Sequence, residues 1–169
     1  FLVSLGPAFA QPRNPTESSP ALITSLGELR SLSVVQANLH LPVRLQAVIT
    51  HFDPEWQLLF LHDGAAGGYA NPAGLTEKLE IGQKIVVEGV TDPGLLSPFI
   101  ARARVVAKEP GALPSAPLLA MKDLRQSHLD AQWVEVRGVV RSAADEEGRL
   151  MLHLADGAEW LTVYVLHYQ

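Results

Sequence analysis

Apolar and polar residues alternate with a period of two along several short segments of this chain. The clearest segment is 42–50, where Val43, Leu45, Ala47 and Ile49 alternate with residues that point the other way. This spacing predicts a strand with one face in a core, because successive side chains of a strand point to opposite faces. Further strands are predicted at 56–62, 81–91 and 98–109.

Turn residues separate these segments and give their order. The Asp-Gly pair at 63–64 is typical of a tight hairpin, since Gly adopts positive φ at little cost. A third strand follows, then residues 74–81 predict a short helix or a loop with one helical turn, and an Asp-Pro-Gly turn at 92–94 separates the last two strands. This is the element order of the OB-fold, a five-stranded Greek-key barrel. We therefore expect a mainly β fold with a small OB-like barrel over residues 23–109.

The same series of features begins a second time later in the chain. Residues 26–70 and 121–165 both contain a Leu-Arg pair, an alternating strand, an acidic turn, a second apolar strand and an Asp-Gly turn. The positions that correspond to the inward set of the first strand are Val134, Val136, Gly138 and Val140. The second copy reaches only its third strand, so we expect a truncated copy at 118–169. Pro-rich residues 110–117 predict an extended linker between the copies.

The first ten residues, FLVSLGPAFA, form an uncharged apolar segment that ends in Ala-Phe-Ala. This ending is typical of a signal peptidase site, with cleavage before Gln11. We therefore interpret 1–10 as the remnant of a signal peptide and the polar, Pro-rich residues 11–22 as a flexible leader. An ordinary apolar strand is the alternative. The signal peptide predicts a periplasmic or extracellular location.

The net charge and the absence of cysteine exclude or disfavour several classes of function. The net charge is -5 and the pI is near 5.6. Proteins that bind nucleic acid usually carry a basic face, because neutralising phosphates drives their affinity, so this charge argues against nucleic acid. The chain has no cysteine, which excludes disulfides, thiolate nucleophiles and cysteine-based zinc sites.

Longer stretches of the sequence are similar to a known family. PVRLQAVITHFDPEWQLLFLHDGAAGGYA, then IGQKIVVEGVTDPG and FIARARVVAKEPGALP, resemble the periplasmic tandem OB-fold-like region of bacterial membrane sensor histidine kinases. QWVEVRGVVRSAADEEGRLMLHLADG resembles the second copy in that region. The resemblance covers most of the chain from Ile23 onward. It implies a sensory or docking segment, with membrane attachment and a kinase domain encoded beyond residue 169, and it implies no catalytic residue in this segment.

Aromatic residues give the first candidate binding surface. Trp56, Phe60 and Tyr69 lie on the predicted second and third strands, and Trp56 and Phe60 are predicted to share one face. In OB-folds that bind single strands, aromatic side chains on this face stack with bases. Trp56 capping the open end of the barrel is the alternative.

Basic residues give the second candidate surface. Arg44 lies on the predicted first strand, and Arg102, Arg104 and Lys108 alternate along the fifth. They could form a cationic stripe for an anionic ligand. The solvated face of a half-buried strand is the simpler interpretation and the one we prefer.

Other polar groups near the predicted turns have simpler explanations than a binding site. His51 and His62, with Asp53 and Asp63 nearby, could face each other across a hairpin, but their spacing is not a known ligand motif. Asp63 and its counterpart in the second copy are explained by turn formation. We therefore predict no metal, no cofactor and no catalytic residue.

Together these features predict a non-catalytic extracytoplasmic sensory or protein-interaction module of a two-component signalling protein. The alternative is an OB-fold protein that binds single-stranded nucleic acid or an oligosaccharide. An exported enzyme domain ranks third, because no set of nucleophile, base and orienting group is visible. The expected partner is an unidentified ligand or periplasmic protein, and a homodimer is a further option.

Overall fold

The computed structural model describes residues 21–72, 74–75, 78–165 and 168. The predicted signal-peptide remnant and most of the predicted leader lie outside these residues. The described chain is mainly β, as predicted, and its first five strands close into a barrel. These strands are β1 (Pro42–Asp53), β2 (Leu58–His62), β3 (Gly67–Ala70), β4 (Lys84–Asp92) and β5 (Phe99–Glu109).

The strands follow one another around the barrel in the order β1, β2, β3, β5, β4. The β3–β5 pairing is parallel and the other four pairings are antiparallel. β1 is long enough to pair with two strands, with β4 along residues 42–48 and with β2 along residues 48–53. A bulge between Ile49 and His51 bends the strand where one partner replaces the other.

The barrel interior is filled by the predicted alternating residues. Val43, Leu45, Ala47 and Ile49 of β1 are all buried, which confirms the predicted inward set. The neighbouring strands contribute further aliphatic side chains to the same cluster, namely Leu59, Leu61, Ala70, Ile85, Val87, Ile100 and Ala103. Aliphatic burial of this kind is the main driving force for closing the barrel.

Two short helices, α1 (Leu26–Ser31) and α2 (Val34–Ala37), precede β1. Ser25 and Glu28 form a capping box at the start of α1, and Leu26 and Leu29 are fully buried in the barrel core. The Leu26 N–H donates to the Asp63 carboxylate at 2.7 Å, so the hairpin turn after β2 anchors α1. This turn use of Asp63 was predicted.

The helix expected at 74–81 does not form in the residues described there, which are turn or irregular. Gly74 and Gly82 at the two ends of the segment have φ of 89° and 85°, a conformation that interrupts helical hydrogen bonding. Leu79 is nevertheless buried and packs on the barrel core. The two short α-helices of the described residues lie before β1 instead.

Beyond β5, the short strand β6 (Leu118–Leu119) pairs in parallel with β7 (Glu135–Val136). Two turns of 3-10 helix lie between these strands, at Met121–Asp123 and Ser127–Leu129. Three antiparallel strands follow, in the spatial order β10, β9, β8. They are β8 (Val139–Glu146), β9 (Arg149–Asp156) and β10 (Glu159–Val165). This gives the three-stranded antiparallel arrangement that the sequence predicts for the segment.

Two details of this segment differ from the prediction. The expected single strand is interrupted at residues 137–138, between β7 and β8. The expected inward residues are not buried: Val134 and Val136 are half-buried, whereas Gly138 and Val140 are exposed. Of these four residues only Val140 belongs to the three-stranded sheet, because Val136 lies in the two-stranded sheet and the other two lie outside the strands.

The second segment contacts the barrel through its polar groups. The Gln132 side chain accepts from the Gly67 N–H at 2.9 Å and donates to the Gly67 carbonyl at 3.1 Å, as a neighbouring strand would. Arg30 donates to the carbonyl oxygens of Asp130 and His128, both at 2.8 Å. The Gln132 bonds pair the backbone of Gly67, at the end of β3 away from the Ala70–Ile100 pairing with β5.

Candidate functional site

A row of aromatic rings crosses the outer face of the barrel. His51 of β1, Phe60 of β2, Tyr69 of β3 and Phe99 of β5 are half-buried and lie on four adjacent strands. Successive ring centroids are 6.0, 5.7 and 5.3 Å apart, and the rings are tilted by 43–50° to one another. We call these four residues the aromatic row. Packing of rings at such distances stabilises each ring in place.

The positions of the rings follow from the period of two. Leu59 and Leu61 point into the core, so Phe60 between them points out. Phe60 lies opposite Tyr69 in the β2–β3 pairing and opposite His51 in the β1–β2 pairing. The Tyr69 hydroxyl donates to the Gln57 carbonyl at 3.0 Å, which fixes the third ring.

The aromatic row is uncharged near neutral pH. Burial lowers the pKa of His51 below its ordinary 6.5, and the nearby Asp53 carboxylate opposes this shift only in part. Burial also raises the pKa of Tyr69. The row therefore offers neutral ring faces, which suit the flat apolar faces of other rings.

Two of the predicted aromatic residues, Phe60 and Tyr69, belong to the aromatic row, but Trp56 does not. Trp56 lies in the turn before β2. The prediction from the sequence that Trp56 and Phe60 share one face of a strand is therefore wrong. Gln57 has φ of 55°, so the chain turns there and β2 begins only at Leu58. The Trp56 ring contacts the three-stranded second sheet instead.

Trp56 packs against two residues of the second sheet. The Arg149 guanidinium lies 4.1 Å from its ring centroid, and the Tyr164 ring meets it edge-on at 5.0 Å. The indole N–H reaches the Glu147 carboxylate at 3.4 Å. Among aromatic rings, the indole of Trp attracts a cation above its face most strongly.

Arg149 is held by a buried ion pair with Asp53. Its Nη2 lies 2.7 Å and its Nε 2.8 Å from the same Asp53 carboxylate oxygen, and both side chains are only 4% exposed. Arg149 also bonds Glu55 at 3.1 Å and the Glu147 carbonyl at 3.0 Å. The ion pair joins the end of β1 to the start of β9, 96 residues further along the chain.

Both members of the ion pair have shifted pKa values. Burial raises the pKa of Asp53, but the Arg149 guanidinium and the backbone N–H groups of Trp56 and Glu55 outweigh burial and hold it below its ordinary value. Burial lowers the pKa of Arg149, and the bonds to Asp53 and Glu55 outweigh this and raise it. Asp53 is therefore a carboxylate, and Arg149 is a cation, across the physiological pH range.

The three predicted arginines lie together, but on another side of the barrel. Arg44, Arg102 and Arg104 line a shallow cavity of about 390 Å³ that also contains Glu88. Glu88 accepts from Arg44 and forms an ion pair with Arg104 at 3.0 Å. Two of the three cations are thus partly neutralised. Lys108 donates to the Lys78 carbonyl and does not line this cavity.

His51 and His62 do not face each other across the β1–β2 hairpin. In the β1–β2 pairing His62 lies opposite Val48, whereas His51 lies opposite Phe60. His62 accepts from the Gly64 N–H through Nδ1 at 3.0 Å. Among the residues that the structure describes, no group of three or more His, Asp or Glu side chains is arranged to hold a metal ion.

A cavity of about 600 Å³ lies beside the ion pair, where the barrel meets the β8–β9 turn. Its lining includes the apolar residues Phe52, Leu79 and Ile81. The lining also includes the acidic residues Glu55, Glu80 and Glu147, together with Asp53 and Arg149 of the ion pair. Acidic residues therefore outnumber the one cation in this cleft.

Several of these residues were missed by sequence reasoning. Phe99 is the second residue of the fifth predicted strand, and an aromatic residue at an outward position of a strand is a signal that could have added it to Phe60 and Tyr69. Arg149 and Gln132 carry no such signal, because a single Arg or Gln beside a turn is common and its partner is distant in sequence.

No protein-family model, curated protein or solved structure matches this chain. Within the described residues no helix has the length and apolar character needed to cross a membrane.

Proposed function

We propose that residues 23–109 form an OB-like Greek-key barrel. The strand order β1, β2, β3, β5, β4 and the parallel pairing of β3 with β5 support this assignment. The OB-fold is a five-stranded Greek-key barrel whose second and third strands face the ligand. Phe60 and Tyr69 lie on those two strands.

The second sheet is, in this proposal, the start of a second copy of the same unit. Val48 pairs with His62 in the first hairpin, and Val139 pairs with Ala155 in the second, at the matching repeat positions. Each first strand then bulges one residue later, between Ile49 and His51 in one case and between Val140 and Ser142 in the other. Two equivalent bulges at one repeat position support duplication, because bulges are retained within families.

The proposed function is binding without catalysis, in a sensory or protein-interaction module of an exported membrane signalling protein. The observation that carries it is the aromatic row. The barrel core is complete without these four rings, so their partial exposure on four adjacent strands is explained best by contact with a ligand or partner.

An oligosaccharide is the second candidate ligand, and it is favoured by the lack of charge on the aromatic row. Rings that carry no charge suit the apolar faces of sugar rings, and the row contains no Lys or Arg, while the pKa of its one histidine, His51, is lowered by burial. A nucleic acid strand would need cations along its phosphates. The three arginines lie in a separate cavity and are partly paired with Glu88.

The binding proposal is tested with the whole chain and three ligand panels: neutral oligosaccharides, single-stranded oligonucleotides and unstructured peptides. Binding is measured by calorimetry for the wild type and for Phe60→Ser and Tyr69→Ser. Removal of one stacked ring is expected to weaken binding roughly tenfold to a hundredfold. Trp160→Ser is the matched control, because Trp160 is 66% exposed and lies outside the row.

Binding that Phe60→Ser and Tyr69→Ser leave unchanged would disprove the role of the row. Preference for oligonucleotides, with strong salt dependence, would favour the nucleic acid alternative instead. The location is tested separately, by expressing the segment with the whole signal peptide of its gene, fused to a reporter enzyme that is active only outside the cytoplasm. An inactive, cytoplasmic fusion would refute export.

A further inference from the structure

Three charged side chains form a row on the outer face of the barrel, across β1, β4 and β5. Arg44 lies opposite Glu88 in the β1–β4 pairing, and Glu88 lies opposite Arg104 in the β4–β5 pairing. One carboxylate oxygen of Glu88 accepts from Arg44. The other lies 3.0 Å from Nη2 and 3.1 Å from Nε of Arg104. Glu88 is only 20% exposed and holds both guanidinium groups in place.

A bulge in β5 brings a third arginine to this row. Residues 102 and 103 both lie opposite Gly89 of β4. Ile100 is fully buried, and strict alternation from that residue would direct Arg102 and Arg104 into the core. The bulge shifts the alternation by one residue, so that Ala103 is buried instead and both arginines are exposed.

Arg102 has an unfavourable backbone conformation at this bulge. Its φ is 52°, in the left-handed region that residues with a long side chain rarely adopt. Within the described part of the chain its guanidinium has no hydrogen bond or ion pair, so no contact of the side chain explains the conformation. Strain of this kind is concentrated at binding sites, where it places a side chain for a ligand.

The three arginines line a cavity of about 390 Å³ that is positively charged. Among the described residues of its lining, three guanidinium groups surround one carboxylate, so two positive charges lack a counter-charge. This contrasts with the net charge of -5 of the whole chain. Each guanidinium carries five N–H donors, and Glu88 occupies only some of those of Arg44 and Arg104. The remaining donors suit an oxyanion, which guanidinium groups bind through paired hydrogen bonds.

We propose that this cavity binds a divalent oxyanion, namely a phosphate or sulfate group, either free or at the end of a larger ligand. Arg102 supplies a complete guanidinium fork, and Arg44 and Arg104 supply the donors that Glu88 leaves over. Two uncompensated positive charges favour a divalent group over a monovalent one, because the attraction grows with the charge of the ligand. The inference does not rest on the ring-binding function, since the cavity and the aromatic row share no residue.

The probe is inorganic phosphate, titrated into the whole chain and followed by calorimetry at constant ionic strength. Sulfate, acetate and glycerol 3-phosphate are titrated in parallel. Phosphate and sulfate are expected to bind at least roughly tenfold more tightly than acetate. Equal affinity for phosphate and glycerol 3-phosphate would support the proposal with a free anion as the ligand. Tighter binding of the ester would support it with the end group of a larger ligand.

Arg102→Gln removes the free guanidinium and is expected to weaken phosphate binding roughly tenfold. Arg141→Gln is the matched control, because it removes the same charge from an exposed position of β8 that does not line the cavity. Screening by salt makes so distant a charge unimportant, so Arg141→Gln should leave phosphate binding within about twofold of the wild type.

Arg102→Gly separates binding from folding. Glycine adopts a φ of 52° without strain, so the urea midpoint of this variant is expected to stay at or above that of the wild type. Its phosphate binding is expected to weaken as much as in Arg102→Gln. A weakened affinity with an unchanged midpoint cannot be attributed to loss of folding.

Three results would overturn the proposal: no binding of phosphate or sulfate up to about 10 mM, acetate bound as tightly as phosphate, or equal losses in Arg102→Gln and Arg141→Gln. Tyr69→Ser distinguishes this site from the ring-binding function, because it is expected to weaken ring ligands and leave phosphate binding unchanged. Failure of one proposal is therefore seen in a different measurement from failure of the other.

Discussion

The ion pair between Asp53 and Arg149 gives the sharpest stability prediction. Asp53→Asn keeps the shape of the side chain but removes the charge that Arg149 faces. An asparagine oxygen can still accept from the N–H groups of Glu55 and Trp56, which lie 3.0 and 3.1 Å from one Asp53 oxygen. Its NH2 group then lies on the guanidinium side, where both partners are donors.

The expected cost follows from burial. Both side chains are 4% exposed, and removing one member of a buried ion pair costs about 3–5 kcal/mol. We expect a loss near the lower end, about 3 kcal/mol, because Glu55 stays bonded to Arg149. In a chain of this size that loss corresponds to a fall in Tm of roughly 6–12 °C.

The assay is urea unfolding followed by tryptophan fluorescence and by circular dichroism, with Glu55→Gln as the control. Glu55 bonds the same arginine but is 79% exposed, so its loss is expected to cost less than about 1 kcal/mol. Equal effects of Asp53→Asn and Glu55→Gln would refute the reasoning from burial. The double replacement Asp53→Ala, Arg149→Met is expected to be more stable than Asp53→Ala alone, since no unpaired charge stays buried.

Two further predictions concern pH and packing. Because the folded pKa of Asp53 lies below its ordinary 3.8, its stabilising contribution is complete above about pH 5 and is lost as pH falls through the folded value. Urea midpoints at pH 7, 5 and 3 should therefore fall more steeply in the wild type than in Asp53→Asn, and parallel curves would contradict this. A Cβ at Gly89 would lie 2.5 Å from the Ala101 carbonyl oxygen, so Gly89→Ala is expected to cost about 1–3 kcal/mol in the same assay. Gly27→Ala is the control: its nearest neighbour is 4.0 Å away, and a loss there as large as at Gly89 would refute the steric argument.

Local patterns predicted much of the barrel. The inward set of β1 and the Asp-Gly turn were recognised because period-two alternation and turn chemistry are encoded within a few residues. The same patterns predict Trp56 on a strand, because they contain no signal for the positive φ of Gln57. The turn ends at that residue, and β2 begins only at Leu58. Strand ends depend on the partner strand, which lies elsewhere in the chain.

The contacts between the barrel and the second segment could not be predicted from the sequence for a related reason. Arg149 meets Asp53 across 96 residues, and Gln132 meets Gly67 across 65. The residues next to Arg149 and Gln132 in the sequence give no indication that either side chain is buried or paired. Such residues become visible only when register and docking are known, and these follow from the whole fold.

The two copies of the pattern show why alternation alone did not decide which side chains are buried. Ile49 and Val140 occupy matching positions and pair with matching leucines, yet one is fully buried and the other is 50% exposed. The alternation assigns both residues to the same face, but burial requires strands that close over that face. It follows that the closed barrel offers its outer face for recognition, and the aromatic row lies on that face. A partner of the barrel should therefore contact the rings of this row.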